Sequence, residues 1–406
     1  MLYSSKIQSL SESATIAIST LAKELKSQGK DILSFSAGEP DFDTPQAIKD
    51  AAIKALNDGF TKYTPVAGIP ELLKAIAHKL KKENNLDYEP SEILVSNGAK
   101  QSLFNAIQAL IGEGDEAIIP VPFWVTYPEL VKYSGGVSKF IQTDEKSRFK
   151  ITPKQLKDAL TPKTKMLILT TPSNPTGMLY SKAELEALGE VLKDTPIWVL
   201  SDEIYEKLVY KGEFVSCAAV SEEMKKRTIT INGLSKSVAM TGWRMGYAAS
   251  KDKKLVKLMN NLQSQCTSNI NSITQMASIV ALEGLVDKEI EAMRQAFEKR
   301  CHLAHAKINA IGGLNALKPD GAFYLFINIG GLCGGDSMRF CHELLEKESV
   351  ALVPGRAFGL EGYVRLSFAC SEEQIEKGME RIARFVKSSG IMVRFKSLKS
   401  AVFITK

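Results

Sequence analysis

A lysine followed at short range by an arginine marks the middle of the chain. Lys236 comes shortly after the apolar, β-branched segment 228–231, and Arg244 lies eight residues further on. A second cation near a lysine lowers the pKa of its amine and makes it a better nucleophile. The spacing is typical of a lysine that forms an imine with a carbonyl compound. Taken alone, the same segment is more often a solvated surface lysine.

Two other apolar segments end in polar residues in the same way. Segment 166–169 leads into Asn174, and segment 197–200 leads into Asp202 and Tyr205. Short apolar runs separated by stretches with helical spacing predict buried strands in βαβ units. Ligands of such open sheets bind outside the carboxyl ends of the strands. We therefore predict that four polar side chains converge on one crevice: Asn174, Asp202, Tyr205 and Lys236.

This set of groups is the one that pyridoxal phosphate requires. The lysine supplies an imine, and an aspartate at the ring nitrogen keeps that nitrogen protonated, so that the ring accepts electrons. Asn174 and Tyr205 can donate hydrogen bonds to the ring oxygen, which lowers the pKa of the imine. Judged one at a time, Asp202 is more often a helix cap and Tyr205 more often a packed aromatic side chain.

A phosphate group needs a separate anion site, and one segment fits it. Residues 93–96 predict a strand, 97–100 a tight turn and 101–111 a helix. Backbone N–H groups at a helix start bind anions, and Gly98 lets that backbone approach closely. Arg244 and the Ser235 hydroxyl can complete the site.

Several motifs together resemble a known family. They are segments 36–42, 63–68, 97–101, 122–124, 173–177, 201–205, 235–244 and 364–367. In these motifs the chain is similar to the fold-type I pyridoxal-phosphate aminotransferases, and within them to the bacterial aspartate aminotransferase subgroup called I-gamma. The resemblance runs from about residue 13 to about residue 386. It implies an α/β fold, in which a large domain with a mostly parallel sheet flanked by helices carries a smaller α/β domain.

The resemblance implies a role for each residue that would hold the cofactor. Lys236 is the imine lysine, Asp202 the partner of the ring nitrogen, and Asn174 and Tyr205 the donors to the ring oxygen. Trp124 stacks on the ring. The phosphate site corresponds to Gly98, Ala99, Lys100, Ser235 and Arg244, joined by Tyr63 from the partner subunit of a homodimer. Some relatives carry a serine where this chain has Gly233.

The resemblance also implies which residues bind substrate. Arg365 grips the α-carboxylate, with Gly38 at the same group, and Trp124 and Asn174 line the site. Lys100 contacts the distal carboxylate of dicarboxylic substrates. We therefore expect a ping-pong aspartate aminotransferase that uses 2-oxoglutarate as the amino acceptor, with Lys236, Asp202 and Tyr205 as the catalytic residues.

Alternatives to aspartate transamination remain open. They are an aminotransferase for aromatic amino acids or prephenate, a β-lyase that uses the same cofactor, and a cofactor-bearing protein without turnover. Relatives that accept prephenate carry a basic residue where this chain has Ser11 and Glu12, which argues against prephenate.

Composition excludes several other classes of protein. The net charge is +6, and four basic residues with no acidic one follow residue 387, so the rest carries only +2. A chain with so little net charge lacks the excess of basic residues that is typical of nucleic-acid-binding proteins. The six cysteines form no Cys-x-x-Cys pair, which argues against a zinc site and for reduced thiols in a cytoplasmic protein. We expect no metal site, no secretory signal and no membrane span.

The elements predict two domains and a tail. Residues 1–45 form an N-terminal arm and part of a small domain, 46–285 the large cofactor domain, 286–387 the rest of the small domain, and 388–406 a disordered tail. The last domain is expected to contain helices at 287–311, 336–347 and 371–386, and strands at 322–329 and 364–368.

Overall fold

The computed structural model describes residues 3–12 and 14–388. From residue 389 onward, the predicted disordered tail lies outside the described residues. The strands are β1 (Leu33–Ser34), β2 (Ile93–Asn97), β3 (Glu116–Val121), β4 (Val137–Gln142), β5 (Thr164–Thr170), β6 (Trp198–Asp202), β7 (Thr228–Gly233), β8 (Met245–Ala249), β9 (Asn315–Ala316), β10 (Tyr324–Asn328), β11 (Val350–Ala351), β12 (Val353–Pro354) and β13 (Tyr363–Ser367).

Helices surround these strands along the whole described chain. They are α1 (Ser5–Gln8), α2 (Ala14–Ser27), α3 (Gln46–Asn57), α4 (Pro70–Asn84), α5 (Ala99–Leu110), α6 (Thr126–Tyr133), α7 (Pro153–Ala159), α8 (Lys182–Leu192), α9 (Glu222–Arg227), α10 (Lys253–Cys266), α11 (Ser272–Leu282), α12 (Asp287–Asn309), α13 (Ser337–Glu348) and α14 (Glu372–Ser388). Within residues 3–12 and 14–388, no helix is both long and apolar enough to cross a membrane.

The largest sheet has seven strands in the order β2-β8-β7-β6-β5-β3-β4. Strand β8 runs antiparallel to both of its neighbours, and the other pairings are parallel. The α/β fold class with a mostly parallel central sheet is therefore confirmed. Because β5, β6 and β7 are adjacent and parallel, their carboxyl ends lie side by side at one edge, as the sequence predicts.

Both faces of this sheet are buried, which explains the continuous apolar runs in its strands. On β5, Met166 and Ile168 pack into a core with residues of α5, such as Leu103. Leu167 and Leu169 point to the opposite face and pack with residues of α8. The edge strand β4 is mostly exposed and lacks such a run. It was therefore not recognisable from apolar periodicity.

A second, smaller body consists of short sheets and the last helices. Strands β12, β13, β10 and β9 form an antiparallel sheet, and β1 pairs with β11. The N-terminal segment thus joins C-terminal strands, and α12, α13 and α14 share one apolar core with β10 and β13. The predicted helix 287–311 ends two residues early, at Asn309. The domain boundaries at residues 45, 285 and 387 stay a prediction.

Candidate active site

Lys236 lies three residues beyond the end of β7, in a loop at the carboxyl edge of the large sheet. Its amine donates a hydrogen bond to the backbone oxygen of Gly38, at 2.6 Å. The pKa of this amine is lowered to about 8, mainly by burial. The positive charges of Arg244 and Arg365 contribute to this lowering, and the negative charges of Glu39 and Asp202 oppose it. A substantial fraction of the amine is therefore neutral near physiological pH.

Contacts between two loops fix the position of Lys236. The Thr241 hydroxyl donates to Oε2 of Glu39 at 2.9 Å. The Thr44 hydroxyl donates to the backbone oxygen of Ala239 at 2.7 Å and accepts from the Trp243 indole at 3.0 Å. The segment after β1 and the loop after β7 are thus held together next to Lys236.

Asp202 is the last residue of β6 and is only 4% exposed. Its Oδ2 accepts a hydrogen bond from the Tyr127 hydroxyl at 2.7 Å, and its Oδ1 accepts a weaker one from the Ile204 N–H at 3.3 Å. Burial raises the pKa of Asp202 to about 6, and these hydrogen bonds limit the rise. The carboxylate is therefore ionised at neutral pH. Tyr127 was not predicted; its sequence signal is its place three residues after Trp124.

Arg365 is 2% exposed and connects three parts of the structure. Its Nη1 donates to Oδ1 of Asn174 at 2.9 Å, and its Nη2 donates to the backbone oxygen of Ser36 at 2.9 Å. The guanidinium carbon lies 4.4 Å from the ring centroid of Tyr324 and 5.0 Å from that of Phe358. This planar cation is held from several sides, and it lines a cavity.

Asn174 and Tyr205 line the same cavity as Arg365. Since Oδ1 of Asn174 accepts from Arg365, its amide NH₂ group is the part left to donate elsewhere. The Tyr205 hydroxyl is 2.9 Å from the hydroxyl of Tyr324. Tyr324 was also not predicted as a site residue, although it lies within the predicted strand 322–329.

Arg244 lies against Gly98 at the turn between β2 and the start of α5. Gly98 caps the start of α5 with a φ of 79°, in the region that favours glycine. A Cβ at this position would lie 2.4 Å from Nη2 of Arg244. Arg244 itself donates to the backbone oxygen of Thr241 at 2.8 Å and to that of Asn97 at 3.3 Å. Only a glycine allows the arginine to lie this close to the helix start.

The absence of a serine at residue 233 has a structural reason. A Cβ on Gly233 would lie 2.6 Å from the backbone oxygen of Met245 and 2.8 Å from the Cα of Gly246. Strand β8 packs too closely here for any side chain. Ser235, which is buried and lines the cavity, supplies a hydroxyl group next to Lys236 in the sequence.

Lys100 and Trp124 form one rim of the cavity. The ammonium nitrogen of Lys100 lies 4.9 Å from the centroid of the Trp124 ring. Partial burial lowers the pKa of Lys100, and the charge of Arg244 lowers it further. The rim therefore carries a cation above an aromatic face, next to Arg244.

One cavity of about 400 Å³ unites these groups. The predicted residues that line it are Gly38, Ala99, Lys100, Trp124, Asn174, Asp202, Tyr205, Ser235, Lys236, Arg244 and Arg365. Gly98 lies behind Arg244 rather than in the lining, and Tyr63 does not line the cavity of its own chain. Additional lining residues include Ser19, Thr20, Lys23, Ser36, Tyr127 and Tyr324. A second cavity of about 480 Å³ lies beside α12 and α14, and none of the residues predicted for the active site lines it.

Comparison with known proteins agrees with this geometry. Residues 30–382 match the family model described as aminotransferase class I and II. The chain belongs to this aminotransferase family. It is 50% identical to an aspartate aminotransferase of Geobacillus stearothermophilus, with 94% of this chain and 98% of the relative covered.

Two further relatives of this aminotransferase differ in their described substrates. An aspartate/prephenate aminotransferase of Nitrosomonas europaea is 45% identical over 94% of this chain and 99% of its own length. The solved structure of an aspartate aminotransferase from Thermus thermophilus with maleate is 42% identical. It superposes with a TM-score of 0.92 and covers 95% of this chain and 100% of that one. The predicted resemblance to bacterial aspartate aminotransferases is confirmed.

Proposed function

We propose that this aminotransferase moves the amino group of L-aspartate to 2-oxoglutarate, giving oxaloacetate and L-glutamate, with pyridoxal phosphate as its cofactor. The observation that carries the proposal is a cavity that brings together the Lys236 amine, whose pKa is lowered, and the buried carboxylate of Asp202. The same cavity holds the cations of Arg365 and Lys100, one for each carboxylate of the substrate. The names of the relatives from Geobacillus stearothermophilus and Thermus thermophilus, both aspartate aminotransferases, support it.

The residues around the cavity fit pyridoxal phosphate. Gly98 leaves room for Arg244 at the start of α5, so a helix start and a guanidinium point to the same place, as a phosphate requires. Asp202 and Tyr205 line the cavity and would serve as partners of a ring nitrogen and a ring oxygen, and Trp124 would offer a flat face to the ring. When bound, the cofactor supplies an aldehyde that condenses with amines and a ring that accepts the electron pair of a carbanion.

Lys236 would move the proton in this reaction. Its amine, with a pKa lowered to about 8, can attach the cofactor and then act as a base on the substrate Cα–H. Near neutral pH such an amine both accepts and returns a proton readily. Ionised Asp202, kept in place by Tyr127, would hold the proton on the ring nitrogen.

Arg365 and Lys100 would select a substrate with two carboxylates. A guanidinium donates two parallel hydrogen bonds to one carboxylate, which suits the invariant α-carboxylate of amino acids. Lys100 is a flexible point charge at the rim and suits a second, less rigidly held carboxylate. The relative solved with maleate, a dicarboxylate, supports the same pairing.

We also propose a cytoplasmic homodimer in which Tyr63 reaches the partner's phosphate site. Tyr63 is 91% exposed, and Ile53 and Leu56 on α3 are each 55% exposed, which supports a protein surface that a second copy covers. An open cavity of about 490 Å³ beside Arg244 could receive the tyrosine. The six cysteines, all within the described residues, form no disulfide there, which supports a reducing compartment. Tyr63→Phe should weaken cofactor affinity without changing the sedimentation of the dimer.

A substrate screen with 2-oxoglutarate as the acceptor tests the proposed reaction. Aspartate should be the preferred donor over alanine and the aromatic amino acids. Oxaloacetate should accumulate in step with glutamate. Prephenate is worth including as an acceptor with glutamate as donor, because one relative carries prephenate in its name. A strong preference for an uncharged donor, or release of a thiol, pyruvate and ammonia from a cysteine conjugate without an acceptor, would contradict the proposal and favour another aminotransferase or a β-lyase.

A further inference from the structure

Two tyrosine hydroxyls meet in the wall of the cavity. The oxygens of Tyr205 and Tyr324 are 2.9 Å apart, and the two side chains are 4% and 0% exposed. Their rings meet edge to face, with centroids 5.8 Å apart. Tyr205 follows β6 in the large sheet, whereas Tyr324 belongs to β10 in the small one. The hydroxyl pair therefore joins the two bodies at the cavity itself.

Tyr324 has little freedom to move. It begins β10, which pairs with β13 along its whole length, so Arg365 on β13 lies on the same side two positions away. The Arg365 guanidinium packs over the Tyr324 ring at 4.4 Å. A Cβ on Gly38 would lie 3.3 Å from the Tyr324 oxygen, so the backbone also closes on the hydroxyl. The oxygen of Tyr324 is thus a fixed point against which Tyr205 is placed.

The direction of the hydrogen bond between them follows from hydrogen counting and acidity. Each hydroxyl carries one hydrogen, so only one of the two can be donated within the pair. Burial raises the pKa of both hydroxyls, and the positive charge of Arg365 opposes that rise in both. The guanidinium packs directly over the Tyr324 ring, 4.4 Å from its centroid, so its charge acts most strongly on Tyr324. The more acidic hydroxyl is the better donor. Tyr324 therefore donates, and Tyr205 keeps its hydrogen for a ligand.

We propose that Tyr324 is a positioning residue that donates to the oxygen of Tyr205 and thereby directs the Tyr205 hydroxyl hydrogen onto the ring oxygen of the cofactor. This inference rests on the proposed function. Tyr324 acts through Tyr205, and the hydrogen bond that it donates also makes Tyr205 a stronger donor. A stronger donor stabilises the anionic ring oxygen and lowers the apparent pKa of the bound cofactor.

Tyr324→Phe tests this directly because it removes the hydroxyl and keeps the ring beneath Arg365. The apparent pKa of the bound cofactor is read from its absorbance between pH 5 and 10, in wild type, Tyr324→Phe, Tyr205→Phe and the double variant. We expect Tyr324→Phe to raise it by about 0.5 to 1 unit, the size of one net hydrogen bond. Tyr205→Phe should raise it more, and adding Tyr324→Phe to it should change nothing further.

Two outcomes would overturn the inference. One is an unchanged apparent pKa in Tyr324→Phe. The other is an equal rise from Tyr324→Phe with and without the Tyr205 hydroxyl, which would mean that Tyr324 does not act through Tyr205. A failure of the proposed function looks different, since wild type would then show no titrating cofactor absorbance at all.

A matched control separates positioning from general stability. Tyr363 also carries a hydrogen-bonded hydroxyl, which donates to Glu145 at 3.0 Å, but it does not line the cavity. Tyr363→Phe should leave the cofactor absorbance titration unchanged, whatever its effect on thermal unfolding. A shift in this control equal to that of Tyr324→Phe would also contradict the inference.

Discussion

The two walls of the cavity are built in different ways. On the large-sheet wall, Asp202 ends β6 and Lys236 follows β7, so both side chains stand at strand ends. On the opposite wall, Arg365 lies in the middle of β13 and pairs across the small sheet with Phe326. The first wall presents groups that change their protonation, whereas the second presents a permanent cation fixed by packing.

In the proposed reaction, we infer that the first wall carries out the chemistry and the second recognises the substrate. Lys236 and Asp202 have pKa values moved toward neutrality by burial, to about 8 and about 6, which suits proton transfer. Burial also lowers the pKa of Arg365, but a guanidinium stays charged throughout the working range. Changes on the first wall should therefore reduce kcat, and changes on the second should mainly raise KM.

The largest effect is expected from Lys236→Ala. In the proposed reaction, the variant lacks both the point of cofactor attachment and the base that moves the substrate proton, so kcat should fall by roughly 10⁴-fold or more. Steady-state assays with aspartate and 2-oxoglutarate measure this. Lys254→Ala, which changes an exposed lysine on α10, is the control and should behave like wild type. Near-normal turnover in Lys236→Ala would remove the distinction between the walls.

Arg365→Lys should produce the next largest effect, mainly in KM. A lysine cannot donate the two parallel bonds to a carboxylate, and it cannot also satisfy Asn174 and the Ser36 backbone. We expect kcat/KM to fall by roughly 100-fold for every amino donor. Arg356→Lys, at an exposed ion pair with Glu361, serves as the matched control. A loss confined to kcat would contradict the assignment of recognition to this wall.

Lys100→Gln should act on one class of substrate only. Removing a charge that meets the distal carboxylate should raise the KM for aspartate by roughly tenfold, since one charge-assisted hydrogen bond is lost. The KM for alanine, which has no distal carboxylate, should stay the same. Parallel titrations with maleate, read from the cofactor absorbance, should show the same loss of affinity. Equal effects on aspartate and alanine would place Lys100 with the phosphate rather than with the substrate.

The smallest expected effect is a change of pH dependence. The Lys236 amine must be neutral to attack an aldehyde, and its lowered pKa of about 8 makes it mostly neutral above that pH. The rate of cofactor incorporation into the apoenzyme should therefore rise from pH 6 and level off near pH 8 to 9. An ordinary lysine would keep gaining rate beyond pH 10. Stopped-flow absorbance measures this rate, and a continuing rise would contradict burial as the cause.

Sequence patterns predicted one wall better than the other. Asn174, Asp202, Tyr205 and Lys236 were expected to converge because adjacent parallel strands end at one edge. Arg365 was placed only through a family resemblance, since nothing in its local pattern distinguishes it from other strand residues. The two walls differ because a change from apolar to polar residues marks the end of a strand in the sequence. No such change marks a functional side chain in the middle of a strand.

The site residues that the sequence did not predict make contacts with residues far away in the chain. Tyr127 and Asp202 are 75 residues apart in the sequence, and Tyr205 and Tyr324 are 119 apart. No local sequence pattern can therefore indicate either hydroxyl contact. Gly233 is a further example. Its lack of a side chain is explained only by the close approach of β8, which is itself absent from the predicted elements.

Covalent trapping at Lys236 is the most direct test of the whole account. Purified protein incubated with pyridoxal phosphate is reduced with borohydride, digested and analysed by mass spectrometry. The account predicts a single modified peptide that carries the reduced cofactor on Lys236, and no such peptide when aspartate is added before reduction. Modification spread over surface lysines, or none at residue 236, would contradict it.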